Sequence, residues 1–259
     1  MRFTSRLPSS ICRTSICASS ALKSLGSTPK VKGWMRYALV DSLKVEPVPR
    51  LTGECIRCGA VMIAKCGEHK LWHWAHKSRI HCDPWWEPET DWHRTWKSHF
   101  APEWQEVVHF APASGEKHVA DVKTAHGKVI EFQHSPMKPE ELRSRESFYV
   151  DLVWIVDGNR GFDASYFNMG LGQQVDEEDS GTVFPFYWYG RSKLIQIWNA
   201  ATCPVFFDFG HERIVWRLVF YDPQKKRGIV GPIYREKLIS DLTDGTQLAR
   251  IIRGDAGPA

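Results

Sequence analysis

The sequence lacks any run of 18 apolar residues, so we expect no transmembrane helix and no membrane partner. It has neither an internal repeat nor heptads, which argues against a solenoid or a coiled coil. Its seven cysteines are an odd number and lack the spacing of a disulfide framework. This pattern is more typical of a reduced cytoplasm and of metal binding than of a secreted protein.

Residues 1–34 contain no Asp or Glu, although they carry six Lys or Arg and many Ser. This composition resembles a transit segment, but no continuous apolar stretch is long enough for a secretory signal. We interpret residues 1–34 as a disordered basic tail. An over-extended gene start, with translation beginning at Met35, is the other interpretation.

The remaining chain is long enough for one good-sized core and a small module. The formal net charge of +4 is a mild basic excess, which is compatible with a polyanion such as DNA. Seven of the 12 tryptophans fall between Trp72 and Trp104. They could stack on the bases of an opened strand, although core packing is their commoner use.

A candidate zinc site comes first in this part of the chain. Cys55 and Cys58 precede His73 and His76, with 14 residues between the two pairs. Two such pairs can close a tetrahedron around Zn²⁺, and a closed four-ligand site is structural. Cys66, His69 and Cys82 are competing ligands. A buried cysteine cluster with surface histidines is the alternative.

The most informative segment is a predicted hairpin at residues 119–135. Two short apolar runs flank a glycine-centred turn, and each carries one carboxylate, Asp121 and Glu131. Glu131 and Gln133 are two positions apart and therefore leave the same strand face. If Asp121 faces that side too, the oxygens converge on one spot that suits Mg²⁺ or Mn²⁺.

The order of motifs resembles the competence protein CoiA-like nuclease family of the PD-(D/E)xK nuclease superfamily. The resemblance covers residues 35–157 and is weaker beyond them. The motifs, in chain order, are His73-Trp74-Ala75-His76, Glu89-Thr90-Asp91-Trp92-His93-Arg94-Thr95-Trp96-Lys97, Ala120-Asp121-Val122, Glu131-Phe132-Gln133-His134-Ser135 and Val153-Trp154-Ile155-Val156-Asp157.

The resemblance implies that Asp121 and Glu131 hold the catalytic metal, with the Phe132 carbonyl as a third ligand. Glu89 matches a supporting carboxylate on a helix; pairing with the helix dipole is its ordinary alternative. Gln133 stands where most members have Lys, and it can orient water only through hydrogen bonds. The alternative for the two strand carboxylates is surface pairing with a neighbouring lysine, Lys123 or Lys128.

Several further residues are candidate nucleic-acid contacts, with solvated surface charge as their alternative. They are His93, Lys97, Lys123, His134, Ser135, Arg143 and Arg145. Two arginines at a spacing of two cannot share one helix row, so at most one of Arg143 and Arg145 is expected to face a phosphate.

The predicted elements follow the same order as the superfamily core. We expect helices at 88–100, 139–149 and 237–252, with Glu89 in the first turn of the first helix. We expect strands at 107–110, 117–123, 128–133 and 152–156, then at 184–189, 194–198, 204–209 and 215–221. Residues 158–181 are predicted to be a loop, and Lys225-Lys226-Arg227 a solvated turn.

Together these patterns predict an α/β fold: a restriction-endonuclease-like mixed central sheet flanked by helices, with a small amino-terminal zinc-ribbon-like module. The predicted parts are a tail (1–34), the zinc module and linker (35–86), the nuclease core (87–160) and a β-rich extension (161–259). The expected function is Mg²⁺-dependent hydrolysis of DNA in uptake, recombination or repair, with DNA-processing proteins as partners. The alternatives are a DNA-binding protein with a degenerate nuclease core and a zinc-stabilised interaction module.

Overall fold

The computed structural model describes residues 34–78, 82–85, 87–112, 114–177, 181–246 and 248. The predicted tail lies outside this part of the chain, except for Trp34. Within the described residues, no helix is both long enough and apolar enough to cross a bilayer.

The amino-terminal strands form one antiparallel sheet. Its strands are β1 (Trp34–Met35), β2 (Ala38–Val40), β3 (Leu43–Val45), β4 (Thr52–Glu54), β5 (Val61–Lys65) and β6 (His73–His76). The spatial order is β1-β6-β5-β4-β2-β3. A small apolar cluster that includes Met62 and Trp74, both fully buried, supports this sheet.

The following strands form a second, mixed sheet. Its strands are β7 (Gln105–Ala111), β8 (Glu116–Lys123), β9 (Val129–Gln133), β10 (Leu152–Asp157), β11 (Val175–Glu177), β12 (Gly181–Tyr187), β13 (Val205–Asp208), β14 (Ile214–Asp222) and β15 (Arg227–Tyr234). Their order is β11-β12-β15-β14-β13-β10-β9-β8-β7. The pairs β9–β10 and β10–β13 are parallel, and the other pairs are antiparallel.

Helices cover both faces of the second sheet. In the described residues they are α1 (Asp91–Lys97), α2 (Pro139–Phe148), α3 (Asp163–Gly170), α4 (Leu194–Asn199) and α5 (Arg235–Thr243). Trp96 of α1 and Leu238 of α5 pack on one face, whereas Leu142, Phe167 and Ile195 from α2, α3 and α4 pack on the other. All six residues of β10 are buried, as expected for a parallel strand covered on both sides. The protein is therefore a mixed α/β fold with two sheets.

Two predicted elements of the carboxy-terminal half are wrong, and one strand was missed. Residues 194–199 form α4 instead of a strand, because Ile195 and Trp198 are three apart and are buried together on one helix face. The predicted loop at 158–181 contains α3 and β11. Strand β15 was not predicted; it pairs with both β14 and β12, so residues 181–234 continue the central sheet.

Candidate functional site

Asp121 and Glu131 lie opposite each other on adjacent antiparallel strands. The observed β8–β9 register pairs Val122 with Ile130, and one further step places Asp121 opposite Glu131. The Phe132 backbone N–H donates to Asp121 Oδ2 (3.0 Å), and the Asp121 N–H donates to Glu131 Oε1 (3.3 Å). The two carboxyl groups therefore face the same site, as the hairpin pattern predicts.

Each of these carboxylates has a buried cationic partner. Lys97 Nζ lies 2.9 Å from Asp121 Oδ1, and Arg145 Nη1 lies 3.0 Å from Glu131 Oε2. The Asp121 side chain keeps 23% of its surface exposed, whereas only 6% of Glu131 is exposed. Solvent or a ligand can thus reach the pair from the side of Asp121.

Lys97 is the centre of a buried charge network. Its ammonium lies 3.3 Å from Glu89 Oε1 and 3.6 Å from Glu106 Oε1, in addition to its contact with Asp121. Burial alone would lower the pKa of Lys97, but these carboxylates raise it well above its usual value. Lys97 is therefore a fixed positive charge inside the site and not a solvated surface lysine.

Glu106 is a site residue that the sequence did not reveal. Its carboxylate oxygens accept hydrogen bonds from the backbone N–H groups of Arg36 and Tyr37, both at 2.9 Å. Its φ of +47° lies in the left-handed region that non-glycine residues seldom adopt, and such strain is common at functional sites. No local pattern marks Glu106, because its partners lie about 70 residues earlier in the chain.

The pKa values of the carboxyl groups in the site are shifted in opposite directions. Burial, followed by the nearby charge of Asp121, raises the pKa of Glu131 to about 8, although Arg145 opposes the shift. Burial also raises the pKa of Glu106. For Glu89, the charges of Lys97 and Arg94 outweigh burial and lower the pKa. The raised pKa of Glu131 places the gain or loss of its proton close to neutral pH.

Glu89 lies outside the helix that was expected to carry it. Helix α1 begins after Thr90, whose side chain caps the helix, so Glu89 precedes the cap and is not in the first turn. Its oxygens contact Arg94 Nε (2.7 Å) and Lys97 Nζ (3.3 Å). Glu89 therefore contacts the site through Lys97, whose ammonium bridges it to Asp121.

His93 is buried and positioned by hydrogen bonds at both ring nitrogens. Nε2 donates to Glu87 Oε1 (2.9 Å) and lies 3.1 Å from the Phe132 carbonyl oxygen, while Nδ1 accepts from the Thr90 N–H (3.2 Å). With 2% of its surface exposed, this side chain is unavailable to DNA in the structure. It links α1 to the strand that carries Glu131.

The Gln133 amide is bonded on its N–H side only. Its Nε2 donates to Glu87 Oε2 (3.0 Å) and to the Ser135 carbonyl (2.9 Å). Because both partners are acceptors, the orientation of the amide is determined. The remaining Oε1 is buried without a hydrogen-bond partner. Gln133 therefore has no free N–H with which to orient a water molecule.

The other predicted nucleic-acid contacts are divided between the surface and internal bonds. Lys123 Nζ lies 3.0 Å from His109 Nδ1, and His134 Nδ1 lies 2.6 Å from Asp157 Oδ2. The Ser135 N–H donates to Glu87 Oε2 (3.0 Å), and exposed Arg143 faces Glu140 at 3.8 Å. Arg143 and Arg145 thus face different ways, and it is Arg145 that reaches the carboxylate site.

The tryptophan-rich region serves mainly as packing. Trp92 and Trp96 both donate through Nε1 to Asp208 Oδ2, at 3.0 and 2.9 Å, and Trp74 donates to the Val45 carbonyl (2.9 Å). Trp74 and Trp96 are fully buried and offer no face for base stacking, whereas Trp92 is partly buried. Among the described tryptophans of this region, Trp72 is exposed (46%), and Trp85 and Trp104 are partly buried like Trp92.

A second centre combines four metal-ligating side chains. Cys55, Cys58, His76 and Cys82 place one ligand atom each within 4.8 Å of one another. Gly59, with φ +71°, allows the tight turn after Cys58, and its N–H donates to the Cys55 carbonyl. The hydrogen bond from the Cys82 thiol lowers the pKa of Cys55 to about 4.

Cys82 takes the position in this cluster that was predicted for His73. In a strand, residues three apart point to opposite faces, so His73 and His76 of β6 cannot both face the cysteines. The His73 ring instead stacks on Trp34 at 4.5 Å, and its Nδ1 donates to the Leu71 carbonyl (2.7 Å). The predicted pair Cys55 and Cys58 is retained.

The cluster can bind a metal such as zinc. Zinc bonds of about 2.0–2.3 Å place the ligand atoms of a tetrahedron roughly 3.3–3.8 Å apart. The Cys55 and Cys82 sulfurs are 3.7 Å apart, and Cys58 Sγ is 3.4 Å from His76 Nε2. Three thiols and one imidazole are soft and borderline ligands that suit zinc better than magnesium.

The carboxylate centre offers a different donor set. Asp121, Glu131 and the Phe132 carbonyl present oxygen atoms, which suit a hard divalent cation. Their hydrogen bonds to Lys97, Arg145 and His93 mean that a bound ion would compete with internal donors. A cavity of about 80 Å³ lies among the side chains of this centre and also reaches His76 and Cys82.

A scan of family models finds no match to this chain, and searches of curated proteins and of solved structures find none either. The functional argument therefore rests on the two centres themselves, since a fold alone does not specify an activity.

Proposed function

We propose that this protein is a metal-dependent deoxyribonuclease that hydrolyses DNA phosphodiester bonds with Mg²⁺ or Mn²⁺. The observation that carries the proposal is the placement of Asp121 and Glu131 on one face of adjacent strands, beside a buried lysine. A restriction-endonuclease-like arrangement of the sheet is part of the proposal. The sequence resemblance to CoiA-like nucleases supports it.

In this proposal Asp121 and Glu131 would hold the catalytic cation, and the chemistry that the cation would supply is activation of water for attack on phosphorus. Glu131 would have to be ionised in order to hold the cation. Asp121 is the more exposed of the two and faces incoming DNA. Glu89 and Glu106 would not hold the cation themselves. They hold the ammonium of Lys97, which contacts Asp121.

Lys97 supplies the positive charge that Gln133 lacks. Its ammonium touches Asp121, whereas the Gln133 amide is committed to Glu87 and the Ser135 carbonyl. A fixed charge beside a metal-binding carboxylate can stabilise the negative charge that develops on a phosphoryl oxygen. Loss of the superfamily lysine at position 133 is therefore compatible with catalysis.

The thiol-rich centre has a structural role in this proposal, with Zn²⁺ bound by Cys55, Cys58, His76 and Cys82. Four protein ligands leave no open position for a substrate. We place the protein in the cytoplasm, where such thiols stay reduced, and in DNA uptake, recombination or repair. Its partners there would be DNA and other DNA-processing proteins.

The test is a cleavage assay on linear and circular DNA, single- and double-stranded, with Mg²⁺ or Mn²⁺. Asp121→Asn should lower cleavage at least roughly 100-fold, because it removes a metal-binding charge. Asp41→Asn is the matched control: Asp41 is exposed, and its φ of +50° is one that asparagine tolerates. No cleavage by the wild type, or equal cleavage by both variants, would refute the proposal.

A second candidate is a DNA-binding protein whose nuclease core no longer cuts. The observation that favours it is that both carboxylates already have internal cations, Lys97 and Arg145. Calorimetric titration with Mn²⁺ separates the two functions. A nuclease should bind the ion in an Asp121-dependent manner, whereas a degenerate core should bind DNA without binding the ion.

A further inference from the structure

One short segment contacts both metal-ligating centres. We define the connecting segment as residues 82–85 and 87, which run from the thiol cluster toward helix α1. Its first residue, Cys82, is a member of that cluster and also lines the cavity of Asp121 and Glu131. Glu87, at its other end, lines the same cavity.

Asp83 joins the thiol cluster to strand β8. Its Oδ2 accepts from the Val119 N–H (2.9 Å), two residues before Asp121, and its Oδ1 lies 2.9 Å from His118 Nδ1. The same carboxylate lies 3.5 Å from Nε of Arg57, which stands between Cys55 and Cys58 in the chain. Asp83 is thus fixed from the side of the cluster and in turn fixes β8.

Trp85 contacts the cation that neutralises Glu131. Its backbone carbonyl accepts a hydrogen bond from Arg145 Nη2, and the Arg145 guanidinium lies 5.6 Å from the centre of its ring. The second terminal nitrogen of Arg145, Nη1, binds Glu131. The position of Trp85 therefore determines where Arg145 can meet this carboxyl group.

Glu87 binds the end of strand β9 with both carboxylate oxygens. Oε1 accepts from His93 Nε2 (2.9 Å) and the His134 N–H (3.0 Å), while Oε2 accepts from Gln133 Nε2 and the Ser135 N–H, both at 3.0 Å. Although burial alone would raise it, these hydrogen bonds lower the pKa of Glu87 to about 2. Glu87 is therefore a permanent anion that orders the residues just after Glu131.

We propose that the connecting segment is a positioning element, through which metal ligation at Cys82 sets the geometry of the carboxylate pair. With the thiol cluster bound to zinc, one end of the segment is fixed, and Asp83, Trp85 and Glu87 hold β8, Arg145 and the end of β9. Without zinc, these contacts loosen while the central sheet stays folded. The catalytic consequence rests on the proposed nuclease function, whereas the coupling is a property of the fold.

Hydrogen exchange of the full-length protein, zinc-loaded and then treated with a zinc chelator, tests the coupling. The reporters are the N–H groups of Val119, His134 and Ser135, which donate to the connecting segment. After zinc removal they should exchange about tenfold faster or more, since each loses a charge-assisted hydrogen bond. The reference amides are Val129 and Trp154, which donate to the Asp151 and Pro204 carbonyls at the starts of β10 and β13, and their exchange should not change.

Two variants sharpen the test. Cys82→Ser should reproduce the effect of the chelator, and Cys66→Ser, outside the cluster, should not. Glu87→Gln in the zinc-loaded protein should accelerate exchange at His134 and Ser135 without releasing zinc. Unchanged reporters after zinc loss, or loss of protection at the reference amides as well, would overturn local coupling.

A second readout separates this proposal from the proposed activity. Zinc removal should weaken Mn²⁺ binding at the carboxylates about tenfold, as expected when groups that orient metal ligands are displaced. If neither form binds Mn²⁺ but the reporter amides respond, the nuclease proposal fails and the coupling stands. If Mn²⁺ binds equally to both forms and the amides do not respond, the coupling fails and the nuclease proposal stands.

Discussion

Replacement of Glu131 by Gln should make the protein more stable at alkaline pH. Glu131 is buried beside Asp121, and burial and this neighbouring charge raise its pKa to about 8 despite Arg145. In the unfolded chain the same group has its usual value of 4.5. Glutamine resembles the protonated acid in shape and charge, so Glu131→Gln keeps the neutral state at every pH.

The sign and size of the effect follow from these two pKa values. Below pH 4.5 both states of the wild type are protonated, so Glu131 adds no pH dependence. Between pH 4.5 and 8 the folded state holds a proton that the unfolded state has lost. The free energy of unfolding therefore falls by about 1.4 kcal/mol per pH unit, to a total of no more than roughly 5 kcal/mol. In Glu131→Gln the free energy of unfolding does not show this fall, because position 131 has no proton to lose.

Urea unfolding followed by tryptophan fluorescence, at pH 5 to 9 without divalent ions, measures the difference. Subtraction of the variant from the wild type cancels other titrating groups, including Glu106, whose pKa is also raised. The control is Glu140→Gln, since the Glu140 side chain is 76% exposed. Equal pH slopes for wild type and Glu131→Gln would refute the reasoning. A large loss of stability in the variant at pH 5 would mean that Glu131 is ionised there by Arg145.

The remaining predictions concern both centres. Elemental analysis should find about one zinc per chain in wild type and in His73→Ala, and much less in Cys82→Ser; equal loss in both variants would restore His73 as a ligand. Lys97→Met should lower the free energy of unfolding at pH 7 by about 3–5 kcal/mol, because Asp121 and Glu106 lose their cationic partner and Glu89 keeps only Arg94. It should also reduce cleavage, and denaturation midpoints unchanged from wild type would contradict this. Gln133→Lys should not raise cleavage, since the new ammonium would meet Glu87; a clear gain in the cleavage assay would mean that position 133 reaches the reacting phosphate.

The carboxylate hairpin could be predicted because its signal is local. Two short apolar runs around a glycine turn predict adjacent strands that carry Asp121 and Glu131, by rules that need only a few neighbouring residues. That Asp121 shares the face of Glu131 was a condition of the prediction, and the structure supplies it. The same holds for strand β10, whose unbroken apolar run is read directly as a buried strand. Arg143 and Arg145 also separate by helix geometry alone.

The prediction of His73 as a zinc ligand, in place of Cys82, conflicts with the geometry of a β-strand. His73 and His76 are three residues apart, so they leave opposite faces wherever both lie on one strand. Cys82 was a competing candidate, yet nothing within the sequence fixes the path of the chain after β6. Residues 194–199 could not be assigned from the sequence, because a short apolar run is compatible with a strand or a helix. The burial of Ile195 and Trp198 on one face distinguishes the two.

The charge network around Lys97 could not be predicted from neighbouring residues, because its members are distant in the sequence. Glu89 and Lys97 are eight residues apart, but Glu106, Asp121 and the Arg36–Tyr37 backbone join them only through the tertiary fold. The resemblance to the PD-(D/E)xK superfamily implies a lysine at position 133, where this chain has glutamine. What the proposed chemistry requires is an ammonium beside Asp121, and the position along the chain that supplies it is free to vary. Since Lys97 meets that requirement from helix α1, the glutamine at position 133 is free to hold Glu87, and the absent lysine does not by itself argue for an inactive site.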